Sequence, residues 1–393
     1  LSRHTAETNI GIIGMGWMGS VHARSYNAVK DKFYSDGLIP RLVICADDVA
    51  ERGSEAQARF GFEEITTNWM DVINHPKVTV VDITSPNFLH REMVLAAIAA
   101  GKHVMCEKPI GTLPSDVAAV YRAAQKAGVM TFTGLNYRWA PHVQFAKQMI
   151  DSGKLGEITN YYGRFFTMYA SNPLGQLSWR FLKEKAGTGA LGDLMPHTVD
   201  MASYLVGPIK RVASNKQTII KERPLPVSGR GTHFSVGEPD DPKGAVTTED
   251  YVGAMVEFEN GATGTLEVSR ATRGPQLENG FEIYGTEGAI RWSFENMDDL
   301  YIYLPDGSPE REGFVRLVSG PDMPFYSKFQ PGPGNNMSYD DLKVIESYHF
   351  LKSITEGKQL EPSFASAYEF AKALDAMMRS WESGGWEEVR EIA

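Results

Sequence analysis

The sequence predicts an α/β protein: an N-terminal doubly wound parallel sheet, followed by a C-terminal α+β domain with a large, open, mainly antiparallel sheet. Three observations predict it. The first third alternates short β-rich runs with helical stretches, a glycine turn "GMGWMG" closes the first of those runs, and beyond about residue 150 the pattern changes to apolar–polar alternation broken by hairpin signals. A chain of 393 residues exceeds one ordinary core, and the change of pattern divides it into 1–135 and 136–393.

The elements follow in order. "NIGIIGMG" is a strand running into glycines, and residues 20–30 are helical. "RLVICADD" is a second strand, and "VAERGSEAQARFG" is a helix stopped by Gly61. "VTVVDITSP" is a third strand, followed by the helix "LHREMVLAAIAAG". "HVMCEKP" is a fourth, followed by a helix that begins at Pro114 and Ser115 and ends at Gly128, and "VMTFTGLNYR" is a fifth. Strands alternating with helices imply parallel pairing through right-handed crossovers. In the second domain "GATGTLEVSRA" alternates Ala262, Leu266 and Val268 with polar residues, as a sheet with one covered face requires. Asn260-Gly261 predicts a two-residue hairpin, and "FEIYGTEGAIRWSF" predicts a second hairpin. Segments 221–248 and 305–338, rich in Pro, Gly and charge, read as long loops, and helices over 339–356 and 363–382 finish the chain.

Composition narrows the function. With 49 acidic against 39 basic residues and a net charge of -10, no basic face is available for phosphodiester backbones, so no nucleic-acid partner is expected. The two cysteines, Cys45 and Cys106, lie in apolar runs, which argues against a disulfide framework. No apolar run is long enough for a bilayer, and the leader "LSRHTAET" lacks the apolar core of a signal peptide, so no membrane association and a cytoplasmic location are expected.

The glycine turn carries the first chemistry. Gly14, Gly16 and Gly19 have G-x-G-x-x-G spacing between a strand and a helix, with Trp17 and Met18 filling the gap, so the expectation is a Rossmann domain binding a dinucleotide. Gly14 permits the tight turn, Gly16 lets a pyrophosphate approach the backbone, and Gly19 lets the helix pack close. Asp47 ends the second strand, where a carboxylate accepts from ribose hydroxyls and repels a 2'-phosphate, which favours NAD over NADP; adjacent Asp48 is the alternative. Thr84, Ser85, Pro86, Asn87 and His90 in "TSPNFLH", and Glu107 and Lys108 in "CEKP", follow the third and fourth strands on the edge where open α/β sheets bind ligands. Asn136 and Arg138 in "GLNYRWAP" follow the fifth on the same edge, where they contact nicotinamide or substrate or else cap the interdomain crossover, and the aromatic Tyr169 and Trp139 either stack on a ligand ring or pack at the domain seam. In "GDLMPHTVD", Asp193 and His197 stand four apart, which on a helix places carboxylate and imidazole on one face. A metal reading with Asp193, His197 and Asp200 lacks a second His or Cys cluster, so no metal is expected.

Taken together, "GIIGMGWMGSVHARSY", "TSPNFLH", "AGKHVMCEKP" and "GTGALGDLMPHTVDMASYLVG", in this order, resemble the Gfo/Idh/MocA family of sugar and cyclitol oxidoreductases over nearly the whole chain. The resemblance implies a substrate pocket between the domains, a catalytic lysine at Lys108, an Asp-x-x-x-His pair at Asp193 and His197, and Trp179 and Arg180 near the nicotinamide. It also implies a homodimer or homotetramer built through the C-terminal sheet. "LSWRFLKEKAGTGALGD" and "GTEGAI" narrow it to a branch of anhydrosugar- and glycoside-oxidising enzymes, from which this chain departs at Thr167 and Tyr169. The expected reaction is NAD-dependent oxidation of a secondary hydroxyl of a sugar, anhydrosugar, cyclitol or glycoside. His197 would be the base, Lys108 would assist at the same oxygen, and Asp193 would orient the imidazole or bridge to Lys108. Two alternatives share the fold: a redox-assisted glycosidase that holds its NAD, and a non-catalytic nucleotide-binding regulator.

Overall fold

The computed structural model describes residues 6–226, 235–308, 310 and 312–392; parts of the leader and of both long loops therefore lie outside the described residues. The first domain contains strands β1 (Ala6–Ile13), β2 (Leu38–Ala46), β3 (Glu64–Thr66), β4 (Val80–Ile83), β5 (His103–Cys106) and β6 (Thr131–Thr133). They form one parallel sheet of order β3-β2-β1-β4-β5-β6, in which the strand order reverses beside β1. The crossovers are α1 (Trp17–Lys32), α2 (Ala50–Phe60), α3 (Trp69–Asn74), α4 (Asn87–Ala99) and α5 (Pro114–Ala127). β4 is wholly buried, as expected of a strand covered on both faces. The sequence reading gives five strands and misses β3. This edge strand is three residues long and largely exposed, so it carries no apolar signature.

The second domain begins with α6 (Pro141–Asp151) and is built on a nine-stranded sheet. Its strands are β7 (Ile158–Thr167), β8 (Ile209–Gln217), β11 (Tyr251–Phe258), β12 (Thr263–Ser269), β13 (Leu277–Gly285), β14 (Ala289–Ser293), β15 (Asp299–Tyr303), β16 (Val315–Val318) and β17 (Glu387–Glu388). β9 (Glu222–Pro224) and β10 (Lys243–Ala245) pair separately within the first long loop. Apart from the parallel pair β7–β12, the large sheet is antiparallel. One register row runs Met255, Thr265, Tyr162, Glu282, Arg291, Tyr301 on the outer face; the next, Val256, Tyr161, Ile283 and Ile290, is buried.

The helices α7 (Lys183–Ala186), α8 (Ala190–Asp193) and α9 (Met195–Leu205) follow β7, and α9 lies on the inner face of that strand and β12. α10 (Tyr326–Phe329), α11 (Tyr339–Glu356) and α12 (Phe364–Ser383) come last. A capping box between Ser338 and Asp341 starts α11, which packs on α1, while α12 bridges α5 and β8. One large core cluster therefore runs through both domains, beside a small separate cluster of Ala170, Leu177, Phe181 and Val246. The hairpin at Asn260-Gly261 has three loop residues, because Phe258 N donates to Ala262 O at 2.8 Å and Gly261 (φ 90°) takes the left-handed position of a bulged turn. Among the described residues no helix is long and apolar enough to cross a membrane.

Candidate active site

The three glycines of the first turn do different physical work. Gly14 (φ 94°) turns beneath β4, and a Cβ there would meet Ser85 N at 2.8 Å. A Cβ on Gly19 would lie 2.0 Å from Gly14 O, so only glycine lets α1 start this close to the sheet. A Cβ on Gly16 would meet nothing within 4 Å; it would point into the open space ahead of α1, whose first turn has no side-chain cap. An open cradle at uncapped helical N–H groups suits a pyrophosphate. Asp47 closes the turn, accepting from Met15 N at 2.7 Å and Val49 N at 3.0 Å. Thr84 Oγ1 donates to Gly14 O at 2.6 Å, and Pro86 caps α4, whose first residue Asn87 keeps a buried Oδ1 without a partner. Exposed Trp17 stacks on Tyr339 with ring centroids 5.5 Å apart, and Met18 Sδ lies 3.8 Å from the Tyr339 hydroxyl.

Lys108 leaves the carboxyl end of β5 toward the second domain. Its ammonium donates to Asp193 O at 2.6 Å and to Asp193 Oδ1 at 3.2 Å, and Tyr169 OH donates to Asp193 Oδ2 at 2.8 Å. Burial raises the Asp193 carboxyl, but Lys108 and Arg180 outweigh it and hold the group below the usual carboxylate range. His197 is buried with its ring edge-on to Tyr137 at 4.9 Å and tilted to Phe165 at 5.7 Å. Burial and then the Lys108 charge push its imidazole well below the ordinary value, so it is neutral. Asn136 is fully buried, with its amide beside the Tyr339 hydroxyl. The open phosphate cradle at Gly16, with an Asn87 Oδ1 that has no partner among the described residues, fits a bound dinucleotide. Trp179 packs edge-on to Phe88 at 5.6 Å, with the Arg180 guanidinium 4.3 Å from its ring centroid.

Asp193 and His197 do not share one helix. α8 ends at Asp193, Leu194 breaks the run, and α9 restarts at Met195 with Pro196 in its first turn. The start of α8 is held from elsewhere: Glu249 accepts from Gly189 N at 2.6 Å and Leu191 N at 3.0 Å. A Cβ on Gly189 would lie 2.0 Å from Glu249 O, which explains a glycine there.

Several expected site residues are committed elsewhere. Asp193 takes the second of its two expected roles, bridging to Lys108, and with Tyr169 as its other partner it does not orient the imidazole. Arg138 is buried, donating twice to Asp200 with its guanidinium 4.9 Å from the Tyr204 ring, so neither it nor Asp200 faces substrate or metal. His90 places Nδ1 2.8 Å from Pro109 O and Nε2 2.7 Å from Ser85 O, bracing two loops instead of touching a cofactor. Glu107 turns inward to His22 and Lys343. Trp139 is buried and stacked on His349 at 4.1 Å, so it offers no face to a sugar. Tyr137, Tyr339, Lys343 and Glu249 are the site-shaping residues that sequence reasoning missed. The helix over 339–356 is legible in the sequence, but not that it carries Lys343 to Glu107 at the end of β5.

The fold and this cleft define a class: an oxidoreductase with a dinucleotide-binding domain and a Lys, Asp and His on the facing domain boundary. Residues 8–135 match the oxidoreductase family with an NAD-binding Rossmann fold, and residues 143–291 match the GFO/IDH/MocA C-terminal domain. The chain belongs to the Gfo/Idh/MocA family and is an NAD-dependent oxidoreductase. It is 38% identical to levoglucosan dehydrogenase of Pseudarthrobacter phenanthrenivorans, over 98% of this chain and 99% of that protein. To a scyllo-inositol 2-dehydrogenase (NADP(+)) of Bacillus subtilis it is 31% identical, over 94% and 93%. A solved levoglucosan dehydrogenase in complex with NADH and levoglucosan superposes with TM-score 0.92 at 36% identity, covering 98% of this chain and 100% of that one.

Proposed function

We propose that the protein oxidises a secondary ring hydroxyl of a sugar, anhydrosugar, cyclitol or glycoside to the ketone, with an anhydrosugar favoured by the likeness to levoglucosan dehydrogenase. The observation that carries this reading is the pairing of an ammonium with spare donor capacity and a neutral, hydrogen-bond-free imidazole. Lys108 spends two of its N–H donors on Asp193. The third is left to donate to the substrate hydroxyl oxygen. His197, which among the described residues has no side-chain hydrogen bond, accepts the hydroxyl proton as general base. The nicotinamide, when bound, accepts the hydride from the same carbon. Lys108 favours alkoxide character as the C–H bond breaks, and it holds the ketone no more tightly than the alcohol. Asp193, fixed by Tyr169, aims Lys108. Gly14, Gly16, Trp17, Met18, Gly19, Asp47, Thr84, Ser85, Pro86, Asn87, Asn136, Trp179 and Arg180 make up the cofactor side, and Tyr169 borders the substrate.

The test is NADH formation across a panel of sugars, anhydrosugars, inositols and glycosides, with the oxidised carbon located by NMR. His197→Ala should abolish NADH formation while NAD still binds; full activity in that variant would sink the assignment. Aglycone release without net NADH would point to the redox-assisted glycosidase instead. We infer further that the outer face of the nine-stranded sheet, where Tyr162, Met255 and Tyr301 are exposed in one register row, meets a second copy of the chain.

A further inference from the structure

A closed network of buried charge lies behind the Lys108 loop, and the mechanism above does not use it. His22 on α1 places Nδ1 2.8 Å from Asp82 Oδ2 and Nε2 3.0 Å from Glu107 Oε1, and Tyr26 OH donates to Asp82 Oδ2 at 2.8 Å. Lys343 on α11 donates to Glu107 Oε1 at 2.5 Å and to Glu346 Oε1 at 3.0 Å. His22, Glu107 and Glu346 have the spacing of a metal site, but the Lys343 ammonium already stands among them as the cation. Gly134 leaves the room: a Cβ there would fall 2.5 Å from Glu107 Oε1. The other Glu107 oxygen accepts from Lys108 N at 3.3 Å, so the held carboxylate grips the peptide that carries the site lysine.

Lys343 therefore ties together three pieces that meet at the site: α1 behind the glycine turn, the loop bearing Lys108, and α11, whose first residue Tyr339 stacks on Trp17 and lies against Tyr137. Resting on the roles given above to Lys108 and His197, we propose that Lys343 is a positioning residue of the active site. Its buried ammonium holds Glu107, and through it the Lys108 peptide, and it adds a fixed positive charge behind the site.

The groups facing His197 are Lys108 and Glu107 from the loop after β5, Asp193 from α8, Lys343 from α11 and the Tyr137 phenol. Lys108 and Lys343 favour the neutral imidazole, and Glu107 and Asp193 oppose them. Lys343→Met removes one favouring charge and leaves Glu107 ionised by His22. Glu107→Gln removes one opposing charge and leaves Lys343 paired with Glu346. Opposite shifts in the two variants are the signature of a charge effect, because loosened packing would not reverse sign.

The decisive measurement is an NMR titration of isotopically labelled histidine, with the His197 signal assigned by its loss in His197→Ala. The wild-type midpoint should lie below the ordinary value of about 6.5. Lys343→Met should raise the midpoint and Glu107→Gln should lower it, each by about half a pH unit or more, with Lys343→Arg near wild type. The kcat of Lys343→Met should fall about tenfold and recover in Lys343→Arg. A folded Lys343→Met with an unshifted midpoint, or shifts of the same sign in both variants, overturns the proposal. If Lys343→Met does not fold, Glu107→Gln decides alone, and an unshifted midpoint there is fatal. Should no carbohydrate yield NADH, the functional reading fails, whereas the titration still judges Lys343.

Discussion

At the scale of single residues, the glycine turn separates folding from binding. Gly19→Ala forces a Cβ to within 2.0 Å of a backbone oxygen, and it should cost about 3 kcal/mol or more in a denaturant melt. Gly16→Ala meets nothing, so its unfolding midpoint should match wild type. Its NAD dissociation constant, read by fluorescence titration, should nevertheless rise about tenfold or more, because the new methyl occupies the approach of the pyrophosphate. Tyr169→Phe removes the hydrogen bond to Asp193 Oδ2; kcat should drop about tenfold and the denaturant melt should lose about 1.5–3 kcal/mol, since a bond to a charged group is worth more than a neutral one. The glycines were legible in the sequence because their spacing is local. The fates of Arg138, His90 and Glu107 were not, since each is fixed by a partner 19 to 236 residues away.

At the scale of elements, α1 and α11 are joined by the buried network, and this makes stability depend on pH. Burial opposes the charged His22 imidazole, but Asp82 and Glu107 outweigh it and raise the group to about 9. The folded chain thus keeps a proton that the unfolded chain releases near 6.5. That contribution, roughly 3 kcal/mol as an upper bound, is complete below about pH 6.5 and is lost as pH rises through about 9. Denaturant midpoints should fall between those limits, and His22→Asn should flatten the slope. Element boundaries were readable wherever caps and periodicity agreed, as at Gly61 for α2 and at Pro114 and Gly128 for α5. They were misread where a neighbour decides, as between α8 and α9. There the i, i+4 spacing suggested one continuous helix, but Glu249 caps a separate four-residue turn.

At the scale of the whole molecule, the exposed register row on the large sheet predicts self-association. Sedimentation should give a dimer or tetramer, and Met255→Glu combined with Tyr301→Glu should shift the distribution toward monomer without lowering the melt; an unchanged distribution would exclude this face.

The sequence by itself determined the doubly wound first domain, the mainly antiparallel second sheet and the dinucleotide turn, and through the family resemblance it put Lys108, Asp193 and His197 forward as candidates. Each rests on a local pattern: strand and helix periodicity, glycine spacing, or short motifs at the ends of strands. Only the tertiary structure decided that Asp193 serves Lys108 and Tyr169, that His197 packs edge-on against Tyr137 with no side-chain hydrogen bond among the described residues, and that α11 carries Lys343 to Glu107. The physical reason is that burial and long-range pairing set these roles. A charged side chain in a buried setting takes whatever opposite charge the fold delivers, and no periodicity in the chain records which segment that will be.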